Sequence, residues 1–155
     1  MERINASLAT LRFIAVLLAC ALAANLSMAQ QPAPPALAAP RPVGAHDHVR
    51  GDPAAPVKLI EYADTECPLC KRFHPTLTRL VQENPGKVAW VFRHYPLVDF
   101  HPKALKEAEA TECAAEMGGQ AVFWKYLDRL YEITPSGDEL DPAELPRIAM
   151  RVGLE

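Results

Sequence analysis

Val57-Lys58-Leu59-Ile60-Glu61-Tyr62-Ala63 is a mostly apolar run, rich in β-formers, that follows the turn signal Gly51-Asp52-Pro53. It predicts a buried first strand. From Cys67 the spacing changes: Phe73, Leu77, Leu80 and Val81 recur every three or four residues, the stripe of a helix from Cys67 to about Glu83. Pro68 suits the first turn of that helix, where no N–H is needed. Pro75 lies inside it, lacks a donor and crowds the carbonyl of Lys71, so a kink is expected. Asn84-Pro85-Gly86 ends the helix, and Val88 to Tyr95 (VAWVFRHY) predicts a second strand. Strand, helix and strand with connections this short predict a right-handed βαβ unit with parallel strands.

Beyond Pro96 the pattern is helical. Lys103 to Met117 carries Ala110, Cys113, Ala114 and Met117 on one side and is stopped by Gly118-Gly119. Gln120 to Tyr131 carries Phe123, Leu127, Leu130 and Tyr131. Asp141-Pro142-Ala143-Glu144 is a helix start of capping-box type, leading into Leu145, Ile148, Ala149 and Val152 before Gly153. Pro146 sits awkwardly in that last helix. Trp90, Phe92, Phe123 and Trp124 are core candidates, and the chain has no internal repeat.

The N-terminal stretch has a different texture. Arg3 and Arg12 supply positive charge ahead of the apolar segment Phe13–Ala24, and Ser27-Met28-Ala29 is a small-x-small cleavage site, so residues 1–29 read as an export signal. The apolar segment is shorter than the about 20 residues a membrane span needs, and Asn25 interrupts it, so no stable span is expected. Retention as an anchor, or lipidation at Cys20, are the alternatives to cleavage. Residues 30–46, rich in Pro and Ala, read as a linker, with a single domain over 47–155. His46 and His48 fall ahead of the folded elements and are expected to be solvated. The net charge is −3, with no basic block and no stacking-aromatic pattern, which excludes a nucleic-acid surface.

Cys67-Pro68-Leu69-Cys70 carries the chemistry. Two thiols at i and i+3 at a helix start lie one turn apart on one side, close enough for their sulfurs to bond. Cys67 meets the free N–H groups and positive end of the helix, which favour a thiolate. Cys70 is positioned to attack any mixed disulfide formed by Cys67, the arrangement of a redox dithiol. Export would bring it into an oxidising compartment. Asp64 and Glu66 are expected to oppose the thiolate, and Lys71 and Arg72 partly to offset them. His74, at i+4 from Cys70, either tunes the dithiol or is an ordinary solvated or hydrogen-bonded helix histidine. His94 and Tyr95 either pack at the strand end or contact the dithiol, and His101-Pro102 is a turn. Cys113 on an Ala-rich stripe reads as a small hydrophobe. A zinc site from Cys67, Cys70, His74 and either His94 or Cys113 is the rival assembly, with no second CxxC, CxxH or HxxxH pair to support it.

The ordered set Gly51-Asp52-Pro53, Glu61-Tyr62-Ala63-Asp64, Glu66-Cys67-Pro68-Leu69-Cys70, Phe73-His74, Arg93-His94-Tyr95-Pro96-Leu97, His101-Pro102, Glu112-Cys113-Ala114 and Phe123-Trp124 strongly resembles DsbA-like thiol:disulfide oxidoreductases of the thioredoxin fold. The resemblance runs from about Gly51 to Leu154. It implies an α/β fold: a thioredoxin-like βαβ unit with a helical insertion, incomplete at the C-terminus. It also implies Cys67 as the exposed attacking sulfur and Cys70 as the resolving one, with Pro68-Leu69 helping to set the potential, and no cofactor. A second disulfide from Cys113, as in some relatives, would need a partner beyond this chain. Family members carry a cis-proline loop and further strands after the insertion. Pro135, after Thr134, is the one candidate here, and the Ser136-Gly137-Asp138-Glu139 turn that follows makes it an inter-helix loop residue instead. The implied partners are cysteine-containing exported proteins and a redox protein that reoxidises or reduces the dithiol. The rival functions are a truncated, non-catalytic fragment and a small zinc-binding module.

Overall fold

The computed structural model describes residues 39–154. The export-signal reading of 1–29, the first part of the linker and Cys20 lie outside the described residues. From Pro42 onward the element order is β1 (His48–Arg50), β2 (Val57–Ala63), α1 (Pro68–Glu83), β3 (Val88–His94), α2 (Ala104–Ile133) and α3 (Glu144–Arg151). The three described strands form one sheet in the order β1-β3-β2.

The expected βαβ unit is present. β2 and β3 run parallel, in register from Val57 opposite Val88 to Ala63 opposite His94. β3 lies in the middle of the described sheet, and Ala89 to Arg93 are all buried. Gly51 makes the turn into β2. Its φ is 96°, and a Cβ there would stand 2.8 Å from Val81 Cγ1 and 3.0 Å from the Val88 carbonyl, so only glycine fits.

β1 departs from the sequence reading. It pairs antiparallel with β3, His48 opposite Phe92 and Arg50 opposite Trp90. His46 is exposed as expected, but His48 is buried, its ring stacked on Phe123 at 3.4 Å. A three-residue strand with one aliphatic residue, Val49, has no period to read. Polar contacts fasten it instead: His48 Nε2 to Glu112 at 2.9 Å, and Arg50 to both oxygens of Asp128 at 2.7 and 2.8 Å.

The helices hold smaller surprises. α1 runs through Pro75 without interruption. The stop expected at Gly118-Gly119 is present: α2 is two helical stretches that meet at a kink at Gly119, whose φ of 72° and ψ of −172° are non-helical. Pro146 is the third residue of α3, inside the first turn, where its missing N–H leaves no helical bond unmade. Ahead of it, Asp141 accepts the N–H of Ala143 at 2.9 Å.

The core lies between the sheet, α1 and α2. Ala63, Val81, Trp90, Phe92, Phe123, Trp124, Leu127 and Tyr131 form it, with Cys70 and Leu77 packed against it. All four aromatics chosen from the sequence are in this cluster. A second cluster (Ala114, Tyr126, Leu130, Leu140, Ile148) fastens α3 to α2. Pro135 stands in the loop after α2, and no peptide bond among the described residues is cis.

Candidate active site

Cys67 ends the turn from β2 and is the N-cap of α1, with φ −74° and ψ 120°. Its carbonyl takes the Lys71 N–H at 3.0 Å, which starts the helix. No side chain caps this terminus, and no acidic residue lies in the first turn. The first-turn N–H groups and the positive end of the helix dipole are therefore not spent on a carboxylate or hydroxyl. The sulfur of Cys67 is the side chain best placed to use them.

Both cysteines are free thiols, each partly buried. Cys70 leans inward, against the core. Burial pushes its thiol up to about 11; a backbone bond at Asp64 opposes this, while the adjoining Cys67 side chain and the charge of Glu61 add to it. The two sulfurs are thus in contact but unlike: one at an open helix terminus, the other in apolar surroundings that penalise charge.

Glu61, in the middle of β2, was not singled out from the sequence. Burial raises its carboxyl to about 7, against a 3.0 Å hydrogen bond from Trp90 Nε1. β2, expected to be buried, is fully buried only at Ala63, and a lone acid at its centre was the available signal. Tyr131, deeply buried, is raised by that burial and then by Cys70 and Glu61, which puts all three in one electrostatic neighbourhood.

Asp64 and Glu66, expected beside the thiolate, both turn their carboxylates inward to partners of their own. Asp64 accepts the Glu66 N–H at 2.7 Å and the Leu97 N–H at 2.7 Å, and meets His101 Nδ1 at 3.0 Å. His101 is therefore a partner of this corner and not only a turn residue. Glu66 is wholly buried in a loop of backbone donors. Lys71 turns its Nζ to the Thr134 carbonyl. Arg72 is exposed.

His74 is buried, 2.6 Å from Asp128 through Nε2 and packed between Trp90 and Tyr131. Its visible work is to tie α1 to α2. His94 closes β3 by meeting Thr111 at 2.8 Å and Glu112 at 3.3 Å, while Tyr95 is exposed. Glu112 is drawn down to about 2 by its bonds to His48 and then His94. Cys113 is exposed beside an open groove between α2 and α3, so the reading of it as a packed small hydrophobe is corrected. The four-ligand zinc set is not assembled: His74 and His94 are engaged elsewhere, and no group of three or more His, Cys, Asp or Glu among the described residues is arranged to hold a metal.

A parallel βαβ unit with a CxxC pair at the start of its helix defines a thioredoxin-fold protein. The chain belongs to the thioredoxin family, whose model, described as "Thioredoxin", matches residues 44–144. Within that fold it is DsbA-like. It superposes on DsbA2 of Pseudomonas aeruginosa with a TM-score of 0.57 at 34% identity, covering 71% of this chain and 66% of that one. Curated relatives that it matches carry the name Na(+)/H(+) antiporter NhaA. One from Salinispora tropica is 46% identical over 109 residues, 70% of this chain and 16% of that protein. One from a Mycobacterium species is 34% identical over 151 residues, 92% of this chain and 24% of that protein. The chain thus spans a sixth to a quarter of the length of these curated relatives. Among its described residues no helix is long and apolar enough to cross a membrane.

Proposed function

We propose that the chain is an exported thiol:disulfide oxidoreductase, exchanging disulfides with cysteine-containing exported proteins through Cys67 and Cys70. The observation that carries this reading is the unlike pair at the start of α1: Cys67 at an uncapped helix terminus, Cys70 in contact with it and in the core wall. The antiporter name belongs to whole proteins of which the matching stretch is a minor part, and we assign thiol chemistry, not ion transport, to that stretch.

In the oxidising direction a substrate thiolate attacks Cys67 Sγ and the Cys67–Cys70 bond breaks. The new bond joins substrate sulfur to Cys67, and Cys70 leaves with the electron pair. Charge on Cys70 is disfavoured by its surroundings, so it takes a proton, and Glu61 is the acid beside it. A second substrate thiolate then attacks the substrate sulfur of the mixed disulfide. Cys67 departs as a thiolate stabilised by the helix terminus. The substrate gains a disulfide and the protein is left reduced, with Cys67 a thiolate, Cys70 a thiol and Glu61 ready to regain its proton from solvent. A redox partner that accepts two electrons and the Cys70 proton restores the starting bond. The reductive direction uses the same steps reversed, with Glu61 receiving the proton of Cys70. Leu69 and Phe73, exposed one turn apart beside the dithiol, offer an apolar surface to an unfolded substrate segment.

The direct test is oxidation of a reduced peptide by the purified, oxidised chain, with circular dichroism on the same sample. Stoichiometric peptide disulfide from folded protein supports the proposal. A folded sample that transfers nothing favours the rival reading, a non-catalytic thioredoxin-like fragment.

Glu61 gives this reading a pH signature. Its carboxyl is neutral below about 7 and charged above. Glu61→Gln should slow disulfide transfer about 10-fold or more at pH 6, where the acid form is present, and much less in alkali. Stability moves in the same sense: a raised folded-state pKa favours folding below the ordinary carboxylate pKa, and the benefit is lost as pH rises through about 7. The variant should therefore melt above the parent at alkaline pH. Equal pH–rate profiles for the two proteins would remove Glu61 from the mechanism. Cys113→Ala should change turnover by less than about twofold, since Cys113 is exposed on α2 and outside the core that Cys70 joins.

A further inference from the structure

Thr65 and Glu66, the two residues before Cys67, are almost fully buried, at 1% and 0% exposure. Glu66 is held by the loop between α2 and α3. Its carboxylate accepts the N–H groups of Asp138 (2.8 Å), Glu139 (3.3 Å) and Leu140 (3.3 Å) and the hydroxyl of Thr134 (3.0 Å). Its carbonyl accepts the Gly137 N–H at 2.8 Å. Successive N–H groups converging on one anion form a nest. The loop bends hard to make it: Ser136, Gly137 and Asp138 all have positive φ, at 72°, 75° and 69°. For Ser and Asp that conformation is strained.

Glu107 of α2 meets this corner from the other side and is 2% exposed. Its Oε2 accepts the Thr65 hydroxyl at 2.6 Å. Its Oε1 receives no hydrogen bond from a donor among the described residues, and its carboxyl lies in hydrogen-bonding contact with that of Glu66. Two buried carboxyl groups in contact cannot both be charged cheaply, so a proton between them is required. Thiol exchange makes no use of it.

We propose that the proton shared by Glu107 and Glu66 is a clamp that fixes the corner carrying Cys67 to α2 and to the 134–140 loop, and that its loss in alkali loosens the loop. The surrounding charges favour keeping the proton. Asp64 and Glu66 on the corner are both acidic, and Asp64 is met by His101. On the loop, Asp138 accepts the Lys103 N–H, and Lys103 Nζ is spent on the carbonyls of Asp138 and Leu140. On α2, Tyr126 is raised to about 12 by burial and then by Glu107. Glu107 itself is raised to about 8, by burial first and then by Glu66, with Thr65 opposing. A raised folded-state pKa means the stabilisation is complete below the ordinary carboxylate pKa and is lost as pH climbs through the folded value.

Glu107→Gln tests the clamp in the whole chain, because a carboxamide can donate to Glu66 and accept from Thr65 at every pH. Between about pH 6 and 9, the wild-type Tm should fall by at least about 5 °C more than that of the variant. The amide resonances of Asp138, Glu139 and Leu140 should shift over the same range in wild type and stay fixed in Glu107→Gln. Parallel melting profiles with unmoved amides would overturn the clamp. Should Glu107→Gln fail to fold, the carboxyl ¹³C titration of Glu107 in wild type decides. A midpoint above about 6.5 supports the clamp, and one at or below it, nearer the ordinary value of about 4.3, overturns it. The outcome does not depend on the thiol reading, since none of these signals comes from disulfide transfer.

Discussion

Cys67→Ser is expected to reduce peptide oxidation to the rate in buffer alone. A hydroxyl cannot form the disulfide that is transferred, and Cys70, the other cysteine at this helix start, is packed against the core. Cys70→Ser should fail differently. Cys67 keeps its helix terminus and still attacks a glutathione-capped peptide, releasing glutathione thiolate, but the internal thiol that would resolve the new mixed disulfide is gone, so the Cys67–peptide adduct accumulates. Non-reducing electrophoresis with mass spectrometry distinguishes the two: stable adducts at Cys67 in Cys70→Ser and none in Cys67→Ser. A Cys67→Ser protein that oxidises peptide at the parental rate would show the assignment of roles to be wrong.

The largest loss of stability is expected from Arg93→Ala. The Arg93 side chain is 7% exposed and bonds Asp47 through Nε at 2.8 Å; Asp47 itself is 1% exposed. The guanidinium also reaches the Tyr62 hydroxyl at 2.8 Å and the Pro42 carbonyl at 3.2 Å. It thus joins the residues ahead of β1 to β3 and to the outer face of β2. Truncating Arg93 takes these charge-assisted hydrogen bonds from a buried carboxylate, a hydroxyl and a carbonyl at once, which costs about 2–3 kcal/mol. Chemical denaturation measures it: the midpoint should drop sharply with little change in slope. A loss under about 1 kcal/mol would mean the pair is solvated in solution.

That pair also explains where the sequence was readable and where it was not. Periodic apolar signals found β2, α1, β3 and the helices after Pro96, and the four aromatics read as core are all buried in one cluster. The CxxC pair was legible because its setting, between a strand and a helical stripe, is local. β1 was not, because its stability comes from partners far along the chain: His48 with Glu112, Arg50 with Asp128, and Asp47 with Arg93. No local pattern encodes such pairs. The same limit hid the fate of Asp64 and Glu66. Beside Cys67 in sequence they look like charges opposing a thiolate; in the fold, donors from Leu97, His101 and the 134–140 loop claim them. Glu61 was legible in principle, as an acid in a strand already read as buried, but what it does depends on Cys70 standing next to it.

The central claim is that the two sulfurs differ: Cys67 is reachable and reactive, Cys70 shielded and reluctant to ionise. Brief alkylation of the fully reduced protein across a pH series, with each site quantified by mass spectrometry, tests this most directly. The account predicts label at Cys67 first, with Cys70 protected until strongly alkaline pH and freed by unfolding. Equal labelling of both cysteines in the folded protein, or Cys70 ahead of Cys67, would contradict it.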